Sequence, residues 1–233
     1  MLKAYAWRMK YREMLNPDSL YAGLKGLEQW VKQTDQPMDR AILHSLIAGI
    51  YANYAANNQW QLRQRTEIVG QTPSADIREW TANMFVEKVR TNVKEALADS
   101  VLLLKTSSRD YIPFVELGKT SEYYHHDLYH LLASRGIDAL LQVEKLGSGY
   151  TETNAVNPVK QDIIAIYGNM LSAYKAAGLK EGYVLTALNY LEWRRGAERY
   201  IRPLQVKGEA SVLTDDTYLK ALNTLKKFVE LNS

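Results

Sequence analysis

The sequence predicts an all-α protein, an irregular array of antiparallel helix hairpins. Three observations carry this expectation. Apolar residues recur at spacings of three and four over most of the chain. Gly and Pro fall mostly between these periodic segments rather than inside them. No stretch alternates apolar and polar residues as a half-buried strand would. The chain has 233 residues, 46% hydrophobic and 24% charged, which suits a soluble globular protein with a sizeable core.

The first helix is expected after Asn16 and Pro17, through Leu20, Leu24, Leu27 and Val31, to end near Thr34. The second starts near Pro37. It carries Ile42, Leu43, Leu46, Ile47, Ile50, Tyr51 and Tyr54, a stripe wide enough to be buried against two neighbours. Together the two read as a hairpin. Asn57 to Pro73 is polar and reads as a connection that tucks Trp60 and leaves its charges in water. A long helix follows from Ser74 or Asp76, with Asp76 and Glu79 in capping-box spacing, and runs to about Leu104. Ser107 to Gly118 is a connector. The next helix covers roughly Ser121 to Val143, with Leu128, Leu131, Leu132, Leu140 and Leu141 inward and Gly136 as a close-packing point.

Gly147, Ser148, Gly149 and the polar residues to Pro158 form the most linker-like segment. It divides the expected organisation into a helical lobe over 1–146, a linker over 147–158 and a second helical-hairpin lobe over 159–233. In that second lobe Val159 to Ala177 and Lys180 to Arg195 pair around Gly178. Asp215 to Leu231 forms a last helix that needs a partner, so the lobe reads as truncated at its C-terminus. Each hairpin is about the size of a tetratricopeptide unit, without that repeat's fixed period of about 34 residues.

Composition excludes several function classes. With 29 Lys and Arg against 26 Asp and Glu, the net charge of +3 is far below that of a dedicated nucleic-acid binder. The absence of cysteine removes disulfides, thiol nucleophiles, thiolate zinc sites and thioesters from these residues. Charges interrupt every apolar run in the first twenty residues, so neither a signal peptide nor a membrane span is read there.

The sharpest local motif is His125, His126, Asp127 and His130. On one helix His126 and His130 would share a face, as two zinc ligands do, with Asp138 or Glu144 as a third. That reading makes the protein a zinc-dependent hydrolase related to His-Glu-x-x-His enzymes, although Asp is a methylene shorter than Glu. The plainer reading is half-exposed helix residues beside Tyr123, Tyr124 and Tyr129. A second cluster, Trp193, Arg194, Arg195, Arg199, Tyr200, Arg202 and Lys207, interleaves cations and aromatics as an anion-binding surface does. Its alternative is a solvated helix end marked by Gly196, where basic residues suit the helix dipole. Gly147-Ser148-Gly149 lacks the preceding strand and glycine spacing of a phosphate loop. No catalytic residue and no cofactor are expected. Tyr51, Tyr54, Trp60 and Trp80 are either a partner-binding face or core, and Trp60, Trp80, Trp193, Arg194, Arg195 and Arg199 are the interaction-surface candidates.

AILHSLIAGIYANY from Ala41, NQWQLRQRT from Asn58 and DIREW from Asp76 stand in the order and spacing of one known family. They resemble the N-terminal helical segment of large bacterial alpha-2-macroglobulin-like proteins. Leu128, Tyr129, Leu132, Ala133 and Arg135 are similar to that family's Leu-Tyr-Asp-x-Leu-Ala-x-Arg stretch, so the likeness spans roughly Pro37 to Asp138. The family pattern has Asp where this chain has His130, and His is common where Ser134 stands, which makes a metal pair using His130 peculiar to this sequence. The resemblance implies a non-enzymatic, tetratricopeptide-like leader of a periplasmic or outer-envelope protein that inhibits or traps proteases. Its partners would be other domains of the same parent chain and, through the parent, proteases or envelope proteins. The family's thioester needs a Cys, so no catalytic residue carries over. The competing class is a free-standing helical-repeat adaptor.

Overall fold

The computed structural model describes residues 19–66, 74, 76–111, 127–146 and 157–201, with backbone alone over 19–22 and 195–201. The helices are α1 (Ser19–Gln33), α2 (Pro37–Asn57), α3 (Gln59–Arg63), α4 (Ala82–Ala96), α5 (Ser100–Lys105), α6 (Leu128–Glu144), α7 (Pro158–Ala177) and α8 (Lys180–Ile201). Two 3-10 turns, Ile77–Glu79 and Ser108–Tyr111, lie among them. Extended pairing among the described residues is limited to one bridge between Ser107 and Asp127. The fold is all-α. Two compact units divide between Ile166 and Tyr167, and the expected linker contributes only Asn157 and Pro158 to the described residues.

In the first unit α2 is the central helix and packs on α1, α3, α4 and α6, while α4 and α5 also pack on α6. Its sequence explains this. Pro37 starts the helix where a missing N–H costs nothing. Beyond it, Ala41, Ile42, Leu43, Ile47, Ala48, Tyr51, Ala52 and Ala55 are buried around more than one face. The alanines keep the surface thin enough for neighbours to approach from several sides. On α4 Phe85, Val86, Val89, Val93 and Ala96 form one buried stripe, and α6 answers with Leu128, Leu132, Ala133, Ile137, Leu140 and Val143. The two helices cross tightly at Gly136, where an added Cβ would sit 2.9 Å from Val93 Cγ1. The close-packing role expected for Gly136 is what the structure shows.

Polar pairs fix the same helices. His44 on α2 and Asn92 on α4 meet at 2.9 Å through Nδ1 and Oδ1, and the Asn92 amide donates to the Lys88 carbonyl at 2.8 Å. The first turns of α7 belong to this unit because Val159 and Ile163 are buried and Asp162 faces two cations of α4. Arg90 Nε donates to Asp162 Oδ2 at 2.6 Å with both side chains about one-seventh exposed, and Lys94 lies 3.3 Å from Oδ1.

The second unit contains the rest of α7 and α8. Gly178 ends α7 at φ +70°, a left-handed conformation that suits glycine, and Leu179 N–H donates to the Tyr174 carbonyl at 3.0 Å. Tyr167 stands about as far before this turn as Tyr190 stands after it, and their rings meet at 5.1 Å. The two helices therefore form an antiparallel hairpin, as the spacing around Gly178 predicts.

Several expectations need correction. The single long helix from Asp76 to Leu104 is four pieces. Asp76 accepts from Arg78 N–H and starts a 3-10 turn, Trp80 is extended at φ −70° and ψ 146°, α4 follows, and Asp99 caps α5 by accepting from Leu102 N–H. The connection after Asn57 contains the short helix α3, and it is Leu62 rather than Trp60 that is buried. The helix expected from Ser121 starts at Leu128 behind an extended Asp127, and residues 121–126 lie outside the described ones. Gly196 ends nothing, because α8 continues to Ile201; a glycine costs a helix interior only about 1 kcal/mol. The expected last helix over 215–231 and the connector beyond Tyr111 lie outside the described residues.

Val93 is buried and stiff about χ1, so it yields little to a new methyl at the α4–α6 crossing. Gly136→Ala is expected to cost about 1–3 kcal/mol of overpacking against a gain of about 1 kcal/mol in helix propensity, a net loss near 1 kcal/mol. Urea denaturation of Gly136→Ala, Val93→Ala and the double variant should show the double variant losing less than the sum of the two.

Candidate functional site

Tyr51 of α2 and Trp80 stack with ring centroids 5.3 Å apart and planes 12° apart. Phe85 of α4 lies 5.3 Å from Trp80 and 5.1 Å from Tyr54, completing an aromatic cluster. Its polar edges are also satisfied. Trp80 Nε1 donates to the Ser74 carbonyl at 2.7 Å, and Arg65 Nη1 donates to the Trp80 carbonyl at 2.6 Å. The Tyr51 hydroxyl donates to Glu28 Oε1 of α1 at 2.9 Å, while Lys88 of α4 approaches that oxygen to 2.8 Å and lies over the Tyr51 ring. Burial first, and the Glu28 carboxylate second, push the Tyr51 phenol well above its ordinary range.

Tyr51 and Trp80 are 2% and 8% exposed, which is the core alternative for these two rings and corrects Trp80 as an interaction-surface candidate. Tyr54 is half-buried against Phe85. Trp60 alone of the four lies open, 73% exposed on α3. Of the other surface candidates, Trp193 stacks on Tyr167 at 6.2 Å and Arg194 lies over the Tyr190 ring at 5.9 Å, both within the α7–α8 hairpin. The side chains of Arg195 and Arg199 lie outside the described residues, so the basic cluster is represented by Arg194.

Of the His-Asp-x-x-His motif, Asp127 and His130 are described. Asp127 has φ −125° and ψ 166°, so the helix begins after it and the shared face proposed for His126 and His130 does not extend back through Asp127. His126 lies outside the described residues. His130, 1% exposed, is the third residue of α6 and bonds to the cap itself. Asp127 Oδ1 accepts the His130 backbone N–H at 2.8 Å, and the ring Nδ1 donates to Oδ2 at 2.7 Å. One carboxylate therefore serves as the N-cap of α6 and as the partner of the imidazole at its third residue. Leu128 N–H donates to the Thr106 carbonyl at 2.8 Å and ties the same helix start to the end of α5. Among the described residues there is no group of three His, Asp or Glu side chains that could hold a metal ion, and the expected set that includes His126 lies partly outside them.

Sequence reasoning missed Ser45. Its buried hydroxyl has no hydrogen-bond partner and faces a crevice between Ile42 and Leu46 of α2 and Leu128, Leu131 and Arg135 of α6. The cavity is about 10 Å³, room for one water molecule. Comparison with protein families, curated proteins and solved structures finds no match to this chain.

Two outcomes follow. A phenol held neutral by the fold contributes stability that is present below about pH 10 and is lost as pH rises past it, because the unfolded chain then releases the proton more readily. Urea midpoints measured from roughly pH 8 to 11 should therefore fall more steeply for the wild type than for Tyr51→Phe. At the α6 start, Asp127→Ala should cost about 2–3 kcal/mol by removing a cap and orphaning a buried imidazole N–H. Asp127→Asn keeps an oxygen for both donors and should cost clearly less in the same denaturation assay.

Proposed function

We propose that this chain is a non-catalytic helical interaction scaffold, the tetratricopeptide-like N-terminal part of a bacterial alpha-2-macroglobulin-like envelope protein that inhibits or traps proteases. One observation supports the reading above the rest. The separate stretches that carry the resemblance converge in space. Tyr51 comes from AILHSLIAGIYANY, Arg65 from NQWQLRQRT and Trp80 from DIREW, and the Trp80 indole stacks on the first while the Trp80 backbone carbonyl accepts from the second. The fourth stretch supplies Leu128, Tyr129, Leu132 and Ala133, all buried on α6 beside α2. Residue types recurring in that order are the ones a common packing demands, so the likeness rests on core-forming positions rather than on chemistry.

In this role the chain meets other domains of its parent and, through the parent, proteases or envelope proteins. The place of action is the periplasm or outer envelope. None of the described helices is long and apolar enough to cross a membrane, so in this reading attachment is supplied by the parent. An antibody raised against this segment tests the proposal on fractionated native cells. A band far larger than 26.6 kDa in the envelope fraction is the expected result. A cytosolic band near 26.6 kDa would sink the proposal and make the chain a free-standing adaptor.

A further inference from the structure

Ser45 is the polar residue that the packing of α2 leaves unexplained. Elsewhere on the buried surface of this helix the small positions are alanines, Ala41, Ala48, Ala52 and Ala55, which bring neighbours close without a polar atom to satisfy. Ser45 is 6% exposed, and its hydroxyl has no hydrogen-bond partner among the described residues. Even the Ala41 carbonyl one turn back, the usual acceptor for a serine inside a helix, does not take it. A buried hydroxyl that makes no hydrogen bond bears its full desolvation cost, so alanine would be the better residue here if size were all that mattered.

The hydroxyl faces a crevice rather than a packed wall. Ile42 and Leu128 are buried beside Ser45, whereas Leu46 and Leu131 are half-buried and Arg135 is exposed, so the crevice opens toward solvent between α2 and α6. Its free space of about 10 Å³ sets the size of the occupant, which is one water molecule and nothing larger. The chemistry of the lining agrees with the size. An internal water needs at least two polar partners, and the lining has two polar residues. The Ser45 hydroxyl both donates and accepts, and the Arg135 guanidinium carries N–H donors. The remaining walls are Ile and Leu side chains, which leave a water no other side chain to bond.

We infer that the crevice between α2 and α6 is a binding site for one internal water, held between the Ser45 hydroxyl and the Arg135 guanidinium. The water donates to Ser45 Oγ and accepts from an Arg135 N–H, which ties the two helices by hydrogen bonds at a point where their other contacts are apolar. The site depends only on the packing of α2 against α6 and stands independently of the scaffold reading.

Crystals of the full chain that diffract well enough to show ordered solvent test the inference. The wild type should show a water at roughly 2.7–3.2 Å from both Ser45 Oγ and a guanidinium nitrogen of Arg135. The same position should lose its density in Ser45→Ala and should weaken to partial occupancy in Arg135→Met. Alanine is smaller than serine and a better helix former, so Ser45→Ala should fold with an unchanged circular dichroism spectrum. A wild-type crevice without density, with the hydroxyl turned onto the Ala41 carbonyl, would overturn the inference. So would a water equally well occupied in either variant.

Discussion

The stacking of Tyr51 on Trp80 is the contact from which the first unit is organised. Each ring brings a different element with it: the Tyr51 hydroxyl holds Glu28 of α1, Lys88 of α4 reaches the same carboxylate, and Trp80 is fastened by Ser74 and Arg65 on the connection that follows α3. An aromatic pair contributes about 0.5–1.5 kcal/mol beyond its buried area, and here that gain also offsets a local loss. Trp80 must leave helical geometry to lie flat on Tyr51, which interrupts a segment whose sequence pattern favours continuous helix. Burial of a large indole outweighs the few helical hydrogen bonds forgone, since each is worth only about 0.5–1.5 kcal/mol net.

What the sequence makes legible follows from how local the cause is. The start of α2 at Pro37, the turn at Gly178 and the close approach at Gly136 each depend on one residue's backbone or volume, and each is found where it is expected. Trp60 and Trp80 are different. Both lie among polar neighbours, and their fates are set by partners distant in the fold: Trp80 finds Tyr51, Phe85 and a carbonyl for its N–H, whereas Leu62 takes the inward position next to Trp60. No pattern of spacing encodes which indole is chosen. The breaks on either side of α4 are intermediate cases, since Asp76 and Asp99 are capping residues in plain view whose use depends on the chain already turning there.

The histidine motif shows how one spacing can serve two ends. His at i and i+4 suits a metal only if the helix runs through both, and an Asp three residues before a His is equally a helix start. Asp127 takes the second part through its extended backbone, which turns the carboxylate onto the His130 N–H in the first turn of α6 and onto the imidazole. The basic residues near Trp193 are ambiguous in a related way. Arg194 lies over Tyr190, so one of the cations in that run serves its own hairpin's aromatic surface.

The contact between His44 and Asn92 reaches further than its modest length suggests. Asn92 is an amide whose two ends look alike in shape and differ in chemistry, and its NH2 end is committed to the Lys88 carbonyl. The end turned toward His44 is therefore an oxygen, which can only receive. The Nδ1 atom of the imidazole is therefore the donor in this contact. A peptide carbonyl on α4 thus decides, through a side chain that never ionises, which ring nitrogen of a histidine on α2 has to donate.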